Sequence, residues 1–233
     1  MSERTDRQAR SELALQIGDD ALVAAQRLAE WSARAHEMEE DVALANIALD
    51  QLGVARLALS LVGDEDELAY LRDEHEFRNC LLVELPNGDF AMTIAKLLFL
   101  SGYQRLRYEA LATGPDDRLA PIGAKARKES AYHLDHAALW TVRLGDGTAE
   151  SHGRMQRAVD EVWPYTYELF EDNDLRPAWL STVEPVLAEG TLERPADGGW
   201  APTGGRQGVH TEHLGFLLAE MQVLHRAHPG ATW

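Results

Sequence analysis

The chain has 233 residues, 45% of them hydrophobic, which is enough for one large domain with a sizeable core. Acidic residues outnumber basic ones 39 to 22, and the formal charge of -17 opposes phosphate backbones and anionic lipid, which argues against nucleic-acid and membrane-surface roles. The single cysteine, Cys80, forms no internal disulfide, and M-S-E-R-T-D-R-Q-A-R at the start has no apolar core, so a cytoplasmic protein without a secretory signal or membrane span is expected.

Residues 1–17 are polar and read as loose or as a late helix start. Asp19 and Asp20 follow Gly18 and are placed to cap a helix running to about residue 35. Residues 39–62 form a second helix, apolar on nearly every side and therefore expected to be buried, with Gly63 as its stop. The acidic stretch from Asp64 suggests one or two short surface helices, and P-N-G-D after residue 85 is a turn. Asp89 caps a third long helix from Phe90 to about Ala112. A fourth runs from about Asp117 to Leu144, and a fifth from Thr148 to Glu171 is split by Pro164. One more helix is expected near 178–189, then a Gly/Pro-rich stretch over 190–208, then a last helix over 209–228. With no convincing strand, the reading is a single all-α domain, a bundle of long helices.

The fourth helix carries K-E-S-A-Y-H-L-D-H, where Glu129, His133, His136 and Trp140 share one face. A carboxylate and imidazoles on one face resemble a metal site. Bundles that hold two irons use paired Glu-x-x-His, so that both groups point inward one turn apart. None of the nine histidines has Glu or Asp three residues before it. Glu129 has Tyr132 at that offset, and Asp50 has Gly53. His133 lies one position further round, displaced by ~100° of helix. What remains is a degenerate set: Glu30, Asp50, Glu129 and His133. An H-x-x-H zinc pair of His133 and His136 stays open beside it.

Lys96 is the only charge in T-I-A-K-L-L-F-L. It either snorkels to the surface or sits inside and neutralises at least one of Glu30, Asp50 and Glu129. A structural polar core of Asn46, Asp50, Lys96, Glu129 and His133 is the resulting expectation. H-T-E-H, His210 to His213, begins the last helix, and His210, Glu212 and His213 read equally as a helix start and as a partner contact. Arg206 is weighed as a contact to a coenzyme phosphate, and Glu65–Glu76 as a solvated face or a surface that steers a basic partner. Trp31, Trp140, Trp163 and Trp179 read as core. Trp233 is either loose or docked.

Four stretches carry a family resemblance: E-E-D-V-A-L-A-N-I-A-L-D-Q-L-G-V-A-R, L-L-V-E-L-P-N-G-D-F-A-M-T-I-A-K, K-E-S-A-Y-H-L-D-H and G-G-R-Q-G-V-H-T-E-H-L-G-F-L-L-A-E-M-Q. Together they resemble the C subunits of bacterial phenylacetyl-CoA epoxidase, in the same order from about residue 15 to the end. The resemblance implies a ferritin-like helical bundle. It also implies a non-catalytic structural subunit with no cofactor of its own, in a complex that epoxidises the ring of phenylacetyl-CoA. The di-iron centre is then expected in a homologous catalytic A subunit, with a reductase as a further partner and a homodimer possible in isolation. No catalytic residue carries over. Two other readings stay open: a stand-alone oxygenase with an irregular metal set, and a small binding protein that uses the bundle interior.

Overall fold

A computed structural model describes residues 2–231, with side chains from residue 8 onward. Trp233 lies outside the described residues, and so does the question of its docking. Among the described residues every regular element is helical. The chain is organised as two compact units, one formed by residues 1–86 and 204–233, the other by 87–203.

The first unit is built on two long helices packed along each other, α1 (Ser2–Ala29) and α2 (Met38–Leu59). The stretch expected to be loose is thus helical, and its Ala14 and Ile17 are buried. Asp19 and Asp20 lie inside α1 and cap nothing; both are buried. Arg72 and Arg206, distant in sequence, supply the cations that let two adjacent acids sit there. Short helices α3 (Glu65–Tyr70) and α4 (Leu81–Glu84) follow, with a 3-10 turn at Glu74–Glu76 between them. Asp64 starts α3 by accepting from the backbone N–H groups of Asp66 and Glu67. The last helix of the chain, α9 (Glu212–Ala227), packs on α3 and α4.

α2 departs from its expected burial. Leu44, Ile47, Val54 and Leu59 are buried. Met38, Val42, Ala45, Leu49 and Leu52 are exposed, at spacings of four, three, four and three, with Met38 79% and Leu49 64% exposed. By length and composition α2 could cross a membrane. Its packing on α1 and its charged first turn of Glu39, Glu40 and Asp41 instead make it a bundle helix with one side left open.

The second unit pairs α5 (Phe90–Ala112) with α6 (Leu119–Gly145). Asp89 caps α5 as expected, its carboxylate accepting from Met92 N–H at 3.0 Å. α7 (Ala149–Val162) ends where Pro164 removes a backbone donor, and the chain continues as a 3-10 helix over Trp163–Phe170. α8 (Arg176–Glu189) closes the unit. Its core is aromatic: Phe99, Trp163, Phe170 and Trp179 pack at centroid distances of 5.2 to 5.7 Å. The Trp179 indole N–H donates to the Phe99 carbonyl at 3.0 Å. Trp140 is buried as well, whereas Trp31 is only half-buried.

Candidate functional site

The densest polar construction of the first unit is a chain of buried acids, and sequence reasoning missed it. Asp19 accepts from the Arg72 guanidinium through both oxygens and from Arg78 N–H at 2.8 Å. Burial pushes the Asp19 carboxyl above its ordinary range, against the opposing pull of Arg72. Arg72 is held in place by the carbonyls of Leu68 and Glu76 and lies 4.1 Å over the Phe77 ring. One residue on, Asp20 receives Arg206 as a two-bond fork, at 2.9 and 2.8 Å, and Cys80 N–H at 2.7 Å.

Glu84 is fully buried at the end of α4. Its Oε1 accepts from Asn79 Nδ2 at 2.9 Å and from His210 Nδ1 at 2.6 Å. Its Oε2 accepts from Thr211 N–H and Thr211 Oγ1, at 2.8 and 2.7 Å. Four polar groups converge on one carboxylate and occupy both of its oxygens. His210 Nε2 lies 3.2 Å from the Phe77 carbonyl. Both ring nitrogens of His210 therefore face oxygen acceptors. Arg27 of α1 donates to the Glu84 carbonyl at 3.1 and 2.6 Å. Gly208 lets the preceding loop close: its φ is +80°, and a Cβ there would come within 2.2 Å of the His75 carbonyl oxygen.

These bonds bind the G-G-R-Q-G-V-H-T stretch to α1 and to residues 72–84. Arg206, weighed as a phosphate contact, is engaged with Asp20 instead. His210 turns its ring inward onto Glu84 with no exposed side-chain surface. Glu212 is exposed and His213 half-buried. The available signal was chemical: Glu84 in L-L-V-E-L is an acid inside an apolar run and needs buried donors.

The degenerate metal residues fall in both units. Glu30 takes Arg27 at 2.8 Å and Glu129 takes Lys125 at 2.5 Å, so each has a cation from its own helix or close to it. Asp50 is half-buried on α2. Lys96 is buried rather than snorkelling, and its ammonium donates to Asn87 Oδ1 at 3.0 Å. His133 is buried and His136 half-buried on α6. Asn46 is exposed and does not belong to the expected polar core, because its position on α2 faces the open side. Tyr132, at the offset where an iron site would place an imidazole, is 76% exposed. Among the described residues no group of three or more His, Cys, Asp and Glu side chains is placed to hold a metal ion. This donor set does not fit a dinuclear centre.

Across residues 1–233 the chain matches the family described as Phenylacetic acid catabolic protein. It is also similar to the C subunit of 1,2-phenylacetyl-CoA epoxidase from Escherichia coli (strain K12), with 45% identity covering 94% of this chain and 97% of the relative. The all-helical fold, with its added short helices and long loop before α9, is the ferritin-like bundle of that family. Coverage from end to end at this identity shows that the chain belongs to the phenylacetic acid catabolic protein family.

Proposed function

We propose that this chain is a non-catalytic structural subunit of a phenylacetyl-CoA ring-epoxidising complex, cytoplasmic, which pairs with and stabilises a homologous di-iron catalytic subunit served by a reductase. The exposed stripe on α2 carries this reading. Met38, Val42, Ala45, Leu49 and Leu52 repeat with the 4-3 spacing of a helix seam, and a solvated helix gains nothing from such a row. Burying each large side chain of the stripe contributes about 1.5–3 kcal/mol.

The donor set supports the same division of labour. Glu30 and Glu129 neutralise cations of this chain, and the interior is organised by ion pairs such as Asp20–Arg206. No step of oxygen chemistry is assigned to these residues. The test is metal analysis of the reconstituted complex after its chains are separated under mild conditions. Iron is expected to travel with the homologous chain. Near-stoichiometric iron on this chain, lost on Glu129→Ala, would instead establish an oxygenase with an irregular ligand set.

A further inference from the structure

The loop that leaves α8 holds a tryptophan out of the second unit. In T-L-E-R-P-A-D-G-G-W-A-P-T, Trp200 is 67% exposed. The loop beneath it is fixed at two points. Glu193 and Gln156 of α7 exchange a reciprocal pair of bonds, at 2.9 and 2.8 Å. The Asp197 carboxylate accepts from Arg194, Arg176 and the Tyr167 hydroxyl, at 2.6, 2.5 and 2.7 Å. Pro195 and Pro202 fix their own φ. The Trp200 ring meets Tyr165 at a right angle, with centroids 5.4 Å apart. A Cβ added at Gly198 or Gly199 meets nothing within 4 Å, so the surface beside the ring is open. The indole is thus set in place before any partner arrives, which lowers the ordering cost of binding. A rigid, exposed Trp is the commonest kind of interface anchor.

Charge says what the anchor receives. Residues 149–203 carry eleven acids against four arginines and no lysine, a formal charge of -7. Arg154, Arg176 and Arg194 are each already held by an acid. Acids near the ring remain in excess. Asp160 and Glu193 are exposed and joined through Gln156, and the exposed Glu161 lies one turn before Tyr165. The unit seats cations on its neighbouring aromatic rings, Arg176 at 5.0 Å over Tyr167 and Arg194 at 5.2 Å over Trp163. Among the described residues no arginine or lysine lies over Trp200. An acidic surround repels nucleic acid and anionic lipid, and a second copy of this chain brings the same charge of -17.

We propose that Trp200 anchors a basic segment of a further polypeptide of the complex, distinct from this chain and from its di-iron homologue, with a lysine or arginine seated over the indole. The proposal rests on the multichain reading above. The α2 seam serves the homologue, and Trp200 offers a second contact on the other unit.

The test is photocrosslinking in the complex isolated whole through a tag on this chain. Gly199→Cys places a benzophenone maleimide beside the indole and keeps Trp200, while Cys80 is buried and stays unlabelled. Glu189→Cys, exposed at the end of α8, is the control. The crosslink is expected on a third chain, in a segment where bases outnumber acids. Adding Trp200→Leu, which keeps an apolar side chain without the π face, cuts the yield about tenfold, and Trp200→Phe cuts it less. Glu161→Gln with Glu193→Gln lowers the yield at low salt and has little effect at high salt. A crosslink to a second copy of this chain, to the homologue, or to a segment where acids equal or outnumber bases overturns the proposal. So does a yield no greater than the control's, or one that survives Trp200→Leu. The crosslink is read whether or not the homologue co-purifies, so failure of the α2 pairing and failure of the Trp200 contact are told apart.

Discussion

Replacing Glu84 tests whether the buried acid chain fastens α9 to the first unit. Glu84→Gln keeps the volume and one acceptor oxygen. With that oxygen turned to Thr211, the new amide faces His210 and Asn79. His210 Nδ1 then faces that amide, while Asn79 Nδ2 still reaches the Cys80 carbonyl at 3.1 Å. About one donor is left poorly matched, which costs about 1–3 kcal/mol. Glu84→Leu removes both oxygens. Thr211 N–H, Thr211 Oγ1 and His210 Nδ1 then all lose their acceptor, and the expected cost triples to about 3–9 kcal/mol. Against a typical total of about 5–15 kcal/mol, the difference is measurable. Native-state amide exchange in α9 is the assay, with α5 as internal reference. Opening free energy in α9 should fall in the order wild type, Gln, Leu. If Leu is no worse than Gln, or α9 protection is unchanged in both, the network does not fasten the helix.

Gly208→Ala should loosen the same region, because a left-handed φ costs a non-glycine residue about 1–2 kcal/mol and the methyl group meets the His75 carbonyl. Exchange in residues 204–211 reads it, and wild-type protection in the variant would contradict the strain argument. In the second unit, Arg194, Tyr167 and Arg176 hold the Asp197 carboxyl down to about 2 from 3.8. A lowered carboxyl contributes its stability above the unfolded value and loses it as pH falls through the folded one, so the loop over 193–203 should loosen from pH 4 toward 2. Pepsin cleavage of that loop should be faster in Asp197→Asn than in wild type at pH 4, and equal near pH 2. A difference that persists at the lower pH would contradict the assignment.

Much of the helical layout was legible because local chemistry set it. Asp89 caps α5 where a cap residue precedes an apolar run, and Pro164 ends α7 where its ring forbids continuation. The errors came from positions that long-range partners decide. Asp19 and Asp20 follow a glycine and look like caps, but Arg72 and Arg206 make a buried mid-helix position tenable for them. The apolar surround of α2 looked like deep burial. In the structure one row of these apolar residues, Met38, Val42, Leu49 and Leu52, is exposed, and composition does not distinguish a buried face from an open one. Absence of paired Glu-x-x-His was visible by counting. The Glu84–His210 bond was not, since 126 positions separate its partners.

The pairing claim is tested most directly by sedimentation of this chain mixed with its di-iron homologue, wild type against Leu49→Asp. Leu49 is exposed, so the substitution leaves the fold intact while placing a charge in the middle of the seam. The account predicts a stable mixed species for wild type and a loss of about 2–4 kcal/mol for the variant, roughly 30- to 1,000-fold in Kd. Mixed species of equal strength from both chains would contradict it.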